Sequence, residues 1–120
     1  MICYYGVSLT GRSHREQSLS CQDAHIAVQL TDTLWLAAVA DGVGSAACSE
    51  RGSVKAVTAL AEFCSEAIHT CSDWVELLKD GFCKALDAVV AMAQEEQTAL
   101  YEYDSTLTAV FYDGTKVVYG

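Results

Sequence analysis

The chain has 120 residues, of which 52% are hydrophobic and none is proline, so it is expected to form one folded globular unit without disordered stretches. Seven basic against 16 acidic residues leave a net charge of −9, which disfavours nucleic acid and anionic membrane as partners and points to metals or proteins. The start, MICYYGVSLTG, has no basic stretch followed by a long apolar core, and no apolar run is long enough to span a bilayer, so a cytoplasmic protein is the expectation.

Residues 2–9 are rich in aromatic and β-branched types and predict a first strand, ended by Thr10 and Gly11. A polar loop, GRSHREQSLSCQDAH, follows and carries Arg12, His14, Arg15, Glu16 and Asp23. Residues 24–30 predict a second strand, with Thr31, Asp32 and Thr33 turning the chain into the apolar run LWLAAVA at 34–40. That continuous run reads as a central strand covered on both faces, and the three strands together fit a meander. Asp41 sits where the chain leaves this strand. Gly42 and Gly44 then allow a tight turn, Ser45 is a candidate cap, and from Ala46 the pattern becomes helical. The Asp41 carboxylate, the Gly42 carbonyl and the amides of a helix start would thus converge on one small volume. The oxygens suit a hard divalent cation and the amides a phosphate.

Val54, Val57, Leu60, Ala61, Cys64 and Ile68 recur at helical spacing. After a break at His69 to Ser72, Asp73 and Glu76 form a capping-box pattern before a second stripe of Trp74, Leu77, Leu78, Phe82, Ala85, Leu86, Val89 and Ala93. The short link favours an antiparallel helix pair laid on a sheet. Residues 105–112 (STLTAVFY) then alternate, and Asp113-Gly114 before TKVVYG is a hairpin signal. The sequence stops inside the second strand of that hairpin, as a chain cut within its fold would. The expected class is α+β with a largely antiparallel sheet. Six cysteines (Cys3, Cys21, Cys48, Cys64, Cys71, Cys83) form no C-x-x-C pair or zinc-type spacing and read as reduced, mostly buried small hydrophobes.

GRSHREQSLSCQDAH, then VADGVGSAACSERGSVKAV, then DSTLTAVFY resembles the N-terminal half of the metal-dependent PPM-type (type 2C) serine/threonine protein phosphatases, especially compact bacterial members, over nearly the whole chain. The Asp41-Gly42 turn before a small-residue helix start is the most specific piece, and Gln22-Asp23 occurs in the family's order. The resemblance implies an α-β-β-α sandwich of which residues 1–120 are the N-terminal part, with two Mg²⁺ or Mn²⁺ ions at one end. It implies that Asp41 bridges both metals, that Gly42 binds one through its carbonyl, and that Asp23 helps hold the metal-bound water network. The implied activity is hydrolysis of phosphoserine and phosphothreonine in proteins by a metal-bridged hydroxide. Where many members place an arginine closer to the first aspartate to hold the substrate phosphate, this chain has Ser18, leaving Arg12, His14 or Arg15 for that task. Gly44-Ser45 stands at the family's Gly-Gly. The later Gly-Asp-Ser segment and two further metal aspartates do not occur within 120 residues, so this piece alone is expected to be inactive.

Two other readings compete. One is a non-catalytic phosphatase-like module that regulates or binds a phosphoprotein. The other is a dinucleotide site, since Gly42-x-Gly44-x-x-Ala47 satisfies a loose G-x-G-x-x-A pattern. Against the latter, Asp41 would face a pyrophosphate, and Glu62, at about ribose-contact distance, falls inside a predicted helix. A Ser-His-Asp triad drawn from His14, His25 or His69 lacks any nucleophile-elbow pattern.

Overall fold

The computed structural model describes residues 2–120. Four antiparallel strands form one sheet: β1 (Ala24–Gln29), β2 (Trp35–Ala40), β3 (Thr108–Tyr112) and β4 (Val117–Tyr119), side by side in chain order. Two long helices, α2 (Ser49–Ala67) and α3 (Trp74–Glu95), intervene between β2 and β3. A five-residue helix α1 (Arg12–Glu16) precedes β1, and a 3-10 turn, Leu100–Tyr103, leads into β3.

Both hairpins follow from local chemistry. The β1–β2 turn closes through Leu30 N and Thr31 N donating to Leu34 O, with Thr31 Oγ1 accepting from Leu34 N at 3.0 Å. In the β3–β4 turn Asp113 Oδ1 accepts from Thr115 N and Lys116 N, and Gly114 adopts φ +99°, which only glycine takes without cost.

Period-2 alternation sends Leu36, Ala38 and Ala40 of β2 and Ala109 and Phe111 of β3 toward the helices, where all five are buried. Facing them are Val57, Leu60, Ala61 and Cys64 of α2 and Leu77, Leu78, Ala85 and Val89 of α3. The helices are antiparallel: Gly81 of α3 lies against Leu60 and Cys64, while Arg51 at the start of α2 pairs with Glu96 beyond the end of α3. A Cβ on Gly81 would fall 2.6 Å from Leu60 Cδ1, so the missing side chain sets how closely the helices approach. Asp73 caps α3 by accepting from Val75 N and Glu76 N. Glu76 turns to Lys79 and not back to the cap.

The α+β class, the antiparallel sheet and the helix pair therefore stand, with one sheet and one helical layer formed by the described residues. Several local expectations are corrected. Residues 2–9 form no strand. Tyr4 packs edge-on against Trp35 with centroids 4.8 Å apart, and Ser8 Oγ lies 2.9 Å from His25 Nδ1, so this segment crosses the sheet face and pairs with no edge. The central strand is fully covered on its inner face alone: on the outer face Tyr4 shields Trp35 in part, while Val39 is 56% exposed. Helix α2 starts at Ser49, later than the apolar pattern suggests. Val54 and Leu86 leave their stripes and point outward. Of the cysteines only Cys64 is buried, where desolvation pushes its thiol up to about 12.

The extents of 43 × 31 × 17 Å describe a slab two layers thick. Its radius of gyration, 15.1 Å, exceeds the value of about 14 Å typical of a compact chain this long, as a flat shape requires.

Candidate functional site

Register brings the two acidic residues together. Ala24 of β1 pairs with Ala40 of β2, Asp23 immediately precedes Ala24, and Asp41 immediately follows Ala40, so both aspartates flank the same rung at one end of the sheet. Their carboxylates are near enough for Asp41 to act on Asp23. Loss of solvent around Asp23, then the hydrogen bond and charge of Asp41, hold the Asp23 carboxyl above the ordinary aspartate value, with the His14 charge opposing. Both carboxylates are exposed and line an open cleft of about 310 Å³ together with Ser8, Leu9, His25 and Thr106.

The chain after Asp41 is gripped from three sides. Asp41 N donates to Thr106 Oγ1 at 3.0 Å, and Thr106 N donates to Asp41 O at 2.8 Å. Val43 N donates to Asp104 O at 2.9 Å, completing an antiparallel bridge between Gly42 and Ser105. Gly42 N donates to Gln22 O at 3.2 Å, and a Cβ on Gly42 would sit 2.5 Å from that oxygen, which makes this glycine obligatory. No donor among the described residues reaches the Gly42 carbonyl. Below the turn, Gln22 Oε1 and Ser49 Oγ are buried with no hydrogen-bond partner among the described residues, giving a polar floor.

The amides of the residues leading into α2 are already taken. Ala46 N donates to Val43 O, Ala47 N donates to Glu102 Oε2 at 2.7 Å, and Cys48 N donates to Glu102 O at 2.8 Å. The N-cap of α2 is Cys48 without a side-chain cap bond, so the capping expected of Ser45 is not made, and Glu102 instead holds the two residues leading into the helix. The Asp41 carboxylate stands exposed just ahead of the glycine turn and Glu62 lies inside α2, so the dinucleotide reading fails on both counts.

Of the candidate phosphate ligands, His14 is the one whose charge acts on Asp23. Arg12 Nε donates to Glu16 Oε1 at 2.7 Å, and Arg15 is exposed on the same short helix. Thr106, Ser53 and Gln22 also shape the site. Thr106 carries no sequence signal beyond a polar DST triplet ahead of an alternating strand, and Ser53 none beyond a run of small residues early in α2.

Hard oxygens are the donors a divalent cation prefers, and two like charges side by side are relieved by a cation between them. Asp23, Asp41 and the Gly42 carbonyl therefore fit part of a Mg²⁺ or Mn²⁺ site. Among the described residues no group of three or more His, Cys, Asp or Glu side chains assembles that could hold a metal by itself.

A sequence profile described as protein phosphatase 2C matches residues 10–120. The chain belongs to the protein phosphatase 2C family. The match begins just before α1 and runs through the acidic pair, both long helices and β4, so all of the cleft lining except residues 7–9 lies within it. No curated protein matches the chain. No helix among the described residues is long and apolar enough to cross a membrane.

Proposed function

We propose that the chain is the N-terminal part of a longer protein phosphatase 2C domain, cytoplasmic, that removes phosphate from phosphoserine and phosphothreonine in protein substrates with two Mg²⁺ or Mn²⁺ ions. The observation that carries this reading is the meeting of Asp23 and Asp41 across one rung, beside a Gly42 carbonyl with no donor. When bound, divalent ions acidify a water molecule and neutralise the phosphoryl group being transferred.

The residues divide the remaining work. Asp41, whose backbone is fixed at both its amide and its carbonyl by Thr106, would be the principal carboxylate holding the ions. Gly42 supplies a carbonyl that costs no existing hydrogen bond. Asp23, whose proton is held more tightly than in an ordinary aspartate, is assigned to orient the attacking water. His14, the candidate whose charge acts on Asp23, is assigned with Arg15 to the substrate phosphate. Arg12 would first have to release Glu16. A net charge of −9 disfavours nucleic acid as substrate.

The test is hydrolysis of a phosphothreonine peptide by the longer protein and by residues 1–120, each with Mn²⁺ and with EDTA. The longer protein should turn over only with metal, and Asp41→Asn should lower its rate by at least about 100-fold, since an inner ligand matters no less than the outer partners whose loss costs that much. The short chain should turn over little. Metal-independent hydrolysis, or full activity in Asp41→Asn, would refute the mechanism. Phosphopeptide binding without turnover in the longer protein would favour the non-catalytic module.

A further inference from the structure

A single carbonyl ties together both chains that bear the acidic pair. The Gln22 oxygen accepts from Gly42 N at 3.2 Å and from Ser53 Oγ at 2.6 Å. Asp23 is the residue after this carbonyl and Asp41 the residue before this amide. Ser53 is fully buried on the inner side of α2, so no water competes for its proton. Its hydroxyl also lies 3.1 Å from Glu50 O, one turn back in its own helix. A helical serine usually bonds back to such a carbonyl. Here the contact across to Gln22 is shorter by half an ångström, so the hydroxyl works chiefly between elements.

We propose that Ser53 is a positioning residue that sets the spacing of Asp23 and Asp41 for a divalent cation. The inference rests on the metal reading above and adds to it a residue on α2 that touches neither carboxylate. The two aspartates repel, and repulsion would push the start of β1 away from the end of β2. Ser53 opposes that movement by holding Gln22 O to the helix, while the Gly42 amide holds the same oxygen to the turn. With the hydroxyl removed, Gln22 O keeps one donor, Asp23 drifts from Asp41, and an entering cation meets one carboxylate where it had met two.

The experiment titrates Mn²⁺ into the isotope-labelled protein and follows paramagnetic broadening of the Asp23 and Asp41 amide signals, alongside thermal melting. Ser53→Ala should need about tenfold more Mn²⁺ for equal broadening, as for other supporting partners of metal ligands. Ser65→Ala removes a hydroxyl that donates only within α2, to Ala61 O at 2.7 Å, and should leave the titration unchanged. A Ser53→Ala protein that melts lower yet binds Mn²⁺ like the parent would overturn the positioning role. Should Ser53→Ala fail to fold, Ser53→Cys keeps similar bulk with a weaker donor. It should shift the titration in the same direction, and parent-like binding by it would overturn the role equally. A parent protein whose Asp23 and Asp41 signals ignore Mn²⁺ would refute the cation reading, and this role with it.

Discussion

Asp23 has a folded-state pKa above its ordinary value of 3.8, because solvent is partly removed and Asp41 stands beside it. Folding therefore favours the protonated form. Its contribution to stability is fully present below pH 3.8 and is lost as pH rises through the folded-state value. Asp23→Asn should consequently raise the melting temperature in EDTA at neutral pH and have little effect in acid. Added Mn²⁺ should reverse the order, stabilising the parent more than the variant. Gly42→Ala forces a methyl against Gln22 O and should cost about 1–3 kcal/mol, read from denaturant unfolding. Asp41 and Gly42 were legible in the sequence because a strand end, a charge and a glycine turn are all local. Thr106 and Ser53 were not, since their partners stand 65 and 31 residues away and no local pattern encodes a contact of that span.

Where α2 begins is decided by another element. Glu102 and Tyr103 of the 3-10 turn cover the residues on either side of its start: Glu102 takes the amides of Ala47 and Cys48 just ahead of it, Gly52 packs against the Tyr103 carbonyl with no room for a side chain, and Arg51 pairs with Glu96, which also accepts from Tyr103 OH at 2.5 Å. Gly52→Ala should push the turn off the helix and destabilise the protein by about 2–3 kcal/mol in equilibrium unfolding. Arg51, then Tyr103, hold the Glu96 carboxyl below its ordinary value near 4.5. The stability this provides is present above pH 4.5 and is lost as pH falls through the lower folded-state value, so Glu96→Gln should flatten the acid limb of the stability profile. The helix stripes were readable because their apolar spacing reports the inner face directly. Residues 2–9 misled because β-branched and aromatic residues suit any half-buried surface. Strand formation needs a free hydrogen-bonding edge, and this segment meets the side chains of Trp35 and His25 instead.

With both helices on one side of the sheet, Val39, Tyr112, Val117 and Tyr119 are left exposed on the other, Tyr119 by 79%. Contiguous apolar surface of this kind associates. Residues 1–120 should bind a hydrophobic dye and sediment as larger species with rising concentration, and Val39→Lys with Tyr119→Lys should suppress both without lowering the melting temperature. The α+β class was readable from the order of elements. One-sided coverage was not, because LWLAAVA is apolar at every position and period-2 exposure leaves no trace in such a run.

The two hairpins close over turns of a few residues, whereas the bonds joining Asp41 to Thr106 close a loop of 65. Joining those ends costs about 2–3 kcal/mol more in chain entropy than forming a tight turn, so β2 and β3 meet only after α2 and α3 have folded back on each other and drawn them together. The β1–β2 hairpin brings Asp23 and Asp41 together early, and the Thr106 clasp on Asp41 is the late addition to the acidic rim. Manganese should accordingly slow unfolding in stopped-flow experiments more than it speeds folding, because the clasp that fixes Asp41 is among the last contacts to form.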